Sequence, residues 1–252
     1  MEKKKKIKKI STPEEIKDRF IQLSQKKGYI DGIYNYCDRW CEKCSFKAKC
    51  RNYSFSEDEE PGNGEELFEY LHNVFQATML MLKDSMEETG IDPEELKNIE
   101  PVKDIESREH PLFQKCDQVA KNIHEWLQNN ESAVNAAHLV QPDEEGNIKF
   151  NDAVDVIYWY NFFIPAKISR ALSGLTEEED DDEFSAYDSN GSAKIALIGL
   201  DRMIAAFSVV MKEIPSEEDN LLKILIDLAG IRKQTETIFP DARKFIRPGF
   251  DE

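Results

Sequence analysis

The chain of 252 residues carries 33 basic against 50 acidic side chains, a net charge of −17, and 40% of it is hydrophobic. That much apolar material fills a substantial core and excludes a disordered chain. The charge is split, +8 over residues 1–53 and −25 beyond, which disfavours phosphate-backbone binding everywhere except in the head.

No apolar segment follows the first lysines, so residues 1–9 do not read as a secretory signal. The longest apolar run, residues 195–211, has Asp201 and Arg202 at its centre, where each charge would cost about 2.5–3.5 kcal/mol in a bilayer. Five cysteines, four of them clustered at ligand-like spacing, suit a reducing compartment better than a disulfide framework. These features predict a cytoplasmic protein without a membrane span.

In chain order, residues 1–12 open with a like-charge run and predict a basic disordered tail. Thr12, Pro13 and Glu15 supply an N-cap, a first-turn proline and a capping-box glutamate, and Gly28 a stop, for a short helix over residues 13–27. Residues 29–53 form a cysteine module, so that 13–53 reads as one helix plus a four-cysteine metal module. Residues 54–64 are an acidic linker containing Pro and Gly.

Beyond it the periodicity is helical. Residues 65–89 place Leu67, Leu71, Val74, Phe75, Thr78 and Leu82 near one face, and Asp92-Pro93 opens a short helix. A long helix covers 111–129. Residues 141–151 predict a turn with a short hairpin near Ile148 and Phe150. Further helices are expected over 151–172, with Gly174 as its stop, and over 192–213 and 217–238, with a loop over 176–192. About five long helices with short connections predict an all-α fold, an antiparallel helical bundle over 65–239 followed by a tail over 240–252.

Cys37, Cys41, Cys44 and Cys50 are spaced C-x3-C-x2-C-x5-C. Thiolates this close favour a cation, and Arg39, Lys43, Lys47, Lys49 and Arg51 offset the charge of a thiolate-ligated centre. A module with so few core residues would draw folding energy from its metal. Zinc and iron-sulfur both accept four thiolates. The single C-x2-C, without a second knuckle, favours a [4Fe-4S] cluster slightly over zinc.

The segment Cys41-x2-Cys44-Ser45-Phe46-x3-Cys50 resembles the iron-sulfur staple of RecB-like and CRISPR-associated nucleases, and an auxiliary-cluster segment of some radical enzymes. Cys37-x3-Cys41-x2-Cys44 has the spacing of the radical S-adenosylmethionine motif. Neither parent fold accompanies these fragments, so they bring no activity. The string YCDRWCEKCSFKAKC, with Trp159-Tyr160, Phe163-Ile164-Pro165, Gly191-Ser192-Ala193-Lys194 and Arg247-Pro248-Gly249-Phe250-Asp251, resembles a family of bacterial helical proteins with an N-terminal cluster of this spacing. The resemblance spans most of the chain and implies no specific activity.

In the body, Glu69-x-x-His72 matches one half of a di-iron carboxylate motif but has no second half. Residues 141–152 lack the first aspartate of a calcium loop. No phosphate loop, dinucleotide fingerprint, nucleophile elbow or zinc-protease helix is present. Two helices are apolar almost all round, and their polar residues Asp155, Lys167, Arg170, Lys194, Asp201 and Arg202 read either as a structural ion network or as an anion pocket. Pro165 predicts a kink near Tyr158 and Tyr160 that could open such a pocket.

Three functions compete: an interaction or adaptor protein with a structural metal centre, an iron-sulfur redox protein, and a nucleic-acid binder using the basic head. Nucleic acid would engage residues 1–53, with Tyr29, Tyr34, Tyr36, Trp40, Phe46 and Tyr53 as stacking groups. A protein partner is expected for the first.

Overall fold

The computed structural model describes residues 11–56, 64–92, 105–138, 150–175 and 182–251. Of the basic disordered tail expected over 1–12, residues 1–10 lie outside the described residues, while Ser11 accepts from Asn73 and Thr12 caps the first helix. The short helix after Asp92 and the Ile148 side of the expected hairpin also lie outside them, and Phe150 is helical instead. Within them the fold is all-helical, with no strand, and no helix is long and apolar enough to cross a membrane. The chain forms two compact units, Met1–Tyr34 with Cys41–Val102, and Asn35–Trp40 with Lys103–Glu252.

The first unit begins with α1 (Pro13–Gln25). The Thr12 hydroxyl accepts from the Glu15 N–H at 3.3 Å, and the Thr12 N–H donates to Glu15 Oε2 at 2.8 Å. This reciprocal box satisfies two of the orphan donors of the first turn. Lys26 turns extended and Gly28 takes φ +99°, so α1 ends two residues before the expected boundary. Short 3₁₀ turns at Cys41–Lys43 and Lys47–Lys49 lead into α2 (Arg51–Ser56). The long α3 (Gly64–Thr89) packs on α1.

On α3 the buried side is not the one that periodicity suggests. Ala77 is fully buried, Asn73 Nδ2 donates to the Ser11 carbonyl at 3.1 Å, and Asp84 pairs with Lys17. Leu67, Leu71, Phe75 and Leu82 are exposed. A small residue lets α1 approach closely, so the α1 contact falls on the Ala77 side and the large apolar side chains lie outside it. The composition-based boundary at 54–64 also differs from the contacts, which group α3 with α1.

The second unit contains α4 (Ile105–Glu109), α5 (Pro111–Asn129), α6 (Glu131–His138), α7 (Phe150–Asn161), α8 (Phe163–Ser173), α9 (Asp182–Glu213) and α10 (Glu218–Ile238). Pro111 occupies the first turn of α5, and His110 Nδ1 accepts from the Leu112 N–H at 3.1 Å. At the centre, α9 packs against α7, α8 and α10. Ala193, Ala196, Leu197, Leu200, Met203, Ala206, Phe207 and Val210 are buried on it. A helix apolar almost all round belongs in such a position.

The single helix expected over 151–172 is two. Pro165 has no N–H to give the Asn161 carbonyl, and the helix breaks at Phe162, one turn upstream. The interruption falls where Pro165 predicts one.

The loop expected over 176–192 is overturned from Asp182 onward, where α9 already runs. Ser185 and Ser189 are buried, Ser185 Oγ donates to the Gly174 carbonyl at 3.2 Å, and Asp188 is held by Arg170. Tertiary packing overrides the low helix propensity of the segment. Gly191 and Gly199 serve close approach rather than chain reversal. A Cβ at Gly191 would fall on the Tyr36 ring, and one at Gly199 would sit 2.9 Å from Tyr160 Cδ1.

Candidate functional site

The cysteine string is divided between the units. In the first, Cys41, Cys44 and Cys50 lie on consecutive tight turns. The Cys44 N–H donates to the Cys41 carbonyl at 3.2 Å, and the Cys50 N–H to the Lys47 carbonyl at 3.1 Å. Cys44 Sγ accepts from the Phe46 N–H at 3.4 Å, an interaction that strengthens as sulfur gains negative charge. Cys50 is buried, and its carbonyl accepts from the Ser54 N–H and hydroxyl.

The Ile30 N–H donates to the Lys49 carbonyl at 3.0 Å, tying the segment before the cysteines to the last turn. Arg51 lies over the Tyr29 ring and pairs with Asp31 at 3.3 Å, and Lys47 lies over Tyr53. With Lys26, which also lies over Tyr29, three of the head's cations are engaged with its aromatic rings. Among the described residues, no three or more His, Cys, Asp or Glu side chains are gathered as a metal site.

In the second unit, residues 36–40 are knit into the helices. Arg39 takes φ 60°, a left-handed conformation unusual for a residue with a side chain. Asp38 Oδ1 accepts from the Trp40 N–H at 3.2 Å, closing an Asx turn around Arg39. The turn aims both neighbours at α7. Asp38 Oδ2 accepts from the Tyr160 hydroxyl and from Arg202 Nη1, each at 2.6 Å. Trp159 Nε1 donates to the Asp38 carbonyl at 2.8 Å, and the Trp40 ring stacks on Trp159 at 5.1 Å.

Burial opposes ionisation of Asp38, but hydrogen bonds from Tyr160, Trp40 and Arg202 outweigh it and hold the carboxyl below its usual range. Burial, reinforced by Asp38, pushes the Tyr160 hydroxyl up. Burial also raises the Cys37 thiol above its ordinary value. Tyr36 is 4% exposed, and its hydroxyl donates to Asp188, which Arg170 holds through two bonds at 2.9 and 2.6 Å. With Tyr36 buried, its ring is not offered to a nucleic-acid base, and one face of the half-buried Trp40 is taken by Trp159.

The six polar residues singled out in the apolar helices do not converge. Arg170 pairs with Asp188 and Arg202 with Asp38. Asp201 binds Arg232 at 3.2 Å and Arg243 at 2.6 Å. Lys194 pairs with Asp251 at 2.9 Å and also reaches the Phe245 carbonyl. Asp155 is exposed. Lys167 is buried, donates to the Asn35 carbonyl at 3.3 Å and lies over the Phe163 ring, and burial lowers its pKa.

The α7–α8 break does border a cleft of about 480 Å³, lined by Phe162, Pro165 and Arg170 together with Arg108 and Phe113. Lys167, Lys194 and Arg202 are not in its lining.

Sequence reasoning gave Asp38, Tyr160, Asp188 and Asp251 no part as the acceptors and donor that complete these networks. Asp38 sits inside the cysteine string, where chemistry drew attention to its neighbours, and its partners lie 122 and 164 positions away. No family model, curated protein or solved structure matches the chain.

Proposed function

We propose that the chain is a metal-thiolate protein in which Cys37, Cys41, Cys44 and Cys50 take one centre, a [4Fe-4S] cluster in preference to a zinc ion. The four ligands lie within fourteen residues of sequence, and the centre is structural: it supplies folding energy to a segment rich in turns and charge. The helices form an antiparallel bundle that presents the acidic body of an interaction or adaptor protein to a protein partner, in the cytoplasm.

The observation that carries this reading is the Phe46 N–H directed at Cys44 Sγ within the Cys41-x2-Cys44 turn. Backbone donors to sulfur stabilise thiolate ligands and tune a cluster's potential. In support, Arg39, Lys43, Lys47, Lys49 and Arg51 are interleaved with the cysteines in the sequence, and nearby cations lower the cost of assembling four thiolates.

Cobalt(II) titration of the metal-free full chain tests the proposal. One equivalent should produce tetrahedral thiolate–cobalt absorption that stops growing at a 1:1 ratio, and Cys44→Ser should weaken binding by at least tenfold. Absence of thiolate–cobalt bands would remove the proposal.

A further inference from the structure

Helix α3 carries its largest apolar side chains outside the α1 contact. Phe68 is 75% exposed and Phe75 70%, and Leu67, Leu71, Met79 and Leu82 are each exposed by two fifths or more. At 100° per residue these six fall in an arc of about 120°, and from Leu67 to Leu82 the stripe runs about 22 Å. Single exposed apolar residues need no explanation, but a continuous stripe of this length marks an interaction surface.

The order of residues along the stripe identifies what covers it. Phe68, Leu71, Phe75, Met79 and Leu82 are separated by steps of 3, 4, 4 and 3, a spacing that reads the same in both directions about Phe75. Reversal of the helix therefore places apolar on apolar: Phe68 meets Leu82 of the partner subunit, Leu71 meets Met79 of the partner subunit, and Phe75 meets its own symmetry mate.

The flanking charges follow the same reversal. Glu65, Glu69 and Lys83 share one flank, within about 40° of one another on the helical wheel. Lys83 is 73% exposed, and Glu65 and Glu69 are exposed. Reversal about Phe75 carries Lys83 to the level of position 67, between Glu65 and Glu69. Like flanks face each other across an antiparallel helix pair, so this lysine meets two carboxylates and they meet a lysine in return. Both the steps and the charges are self-complementary, as a two-fold interface requires.

We propose that the Leu67–Leu82 face of α3 is a self-association surface that closes on the same face of a second copy, antiparallel and centred on Phe75. Exposed charge repels between two acidic chains, and the apolar stripe and the Lys83 pairs oppose that repulsion.

Sedimentation equilibrium of the full chain over a micromolar concentration range tests the proposal. The wild type should reach a monomer–dimer equilibrium, and Phe75→Glu should weaken it at least tenfold with far-UV circular dichroism unchanged. Lys83→Glu should weaken it several-fold, and adding Glu65→Lys and Glu69→Lys to that variant should restore it. A wild type that stays monomeric would overturn the proposal, whether the stripe is covered by its own chain or by another protein. A dimer indifferent to both Phe75→Glu and the charge exchange would also overturn it. If Phe75→Glu loses helical signal, the charge exchange decides alone.

Discussion

Asp38 accepts a hydrogen bond from the Tyr160 hydroxyl at 2.6 Å, joining the turn beside Cys37 to the last turn of α7. The same carboxylate receives Arg202 from α9, and the Asp38 carbonyl receives Trp159. One residue thus anchors a short segment to two helices. Removing it leaves a tyrosine hydroxyl and a guanidinium without their acceptor, the costly way to break a polar contact.

Asp38→Ala should therefore destabilise the second unit by about 1–3 kcal/mol, and Tyr160→Phe by about 1 kcal/mol. The double variant should fall short of the sum, because both changes remove the same bond. Urea unfolding followed by tryptophan fluorescence measures this, since Trp40 and Trp159 report on the segment. Strict additivity would show that the Asp38–Tyr160 bond contributes nothing of its own.

Gly191→Ala offers a sign test. In an exposed helix the change stabilises by up to about 1 kcal/mol. Here the new methyl would fall on the Tyr36 ring and within 2.8 Å of Phe245 Cζ. Overpacking of this kind costs about 1–3 kcal/mol, so the thermal midpoint should fall. A rise would mean that Tyr36 and Phe245 yield freely.

Acid should weaken the second unit through Asp251. Hydrogen bonds from Arg247, partly offset by burial and aided by Lys194, hold its carboxyl well below the usual carboxylate range. A depressed folded-state pKa gives stability that is complete above the unfolded value, about 3.9, and lost as pH falls toward the folded value. The urea midpoint should therefore decline below about pH 4, and Asp251→Asn should be less stable at neutral pH with a shallower decline. An identical acid profile for the variant would place the acid sensitivity elsewhere.

Cys116 should be chemically silent. It is 3% exposed in the core of α5, and burial pushes its thiol up to about 12. In the metal-free native protein, an aromatic disulfide reagent should label Cys41 and Cys44 before Cys116, which reacts only on unfolding. Mass spectrometry of the labelled peptides checks the order. Early labelling of Cys116 would mean that α5 opens locally.

The capping box of α1, the proline start of α5, the stop at Gly174 and the break set by Pro165 were legible because each depends on a local rule of backbone chemistry. The extension of α9 to Asp182 was not, because the residues that hold it, Ser185 and Asp188, take their partners from α8 and the turn that follows. The buried side of α3 was hidden for a related reason. Periodicity identifies an apolar stripe, but Ala77 and Asn73 decide which side α1 takes. Of the candidate site, the spacing of the cysteines draws attention to them in the sequence, whereas Asp38 left no signal there, since an ion pair across 164 positions leaves no local trace.

The metal content of the full chain purified without oxygen tests the four-cysteine centre most directly. The chain should carry one centre, four irons with matching sulfide and broad visible absorption or else a single zinc, reduced to background by Cys41→Ser with helical content retained. Protein that binds neither and whose cysteine cluster titrates as free thiols would contradict it.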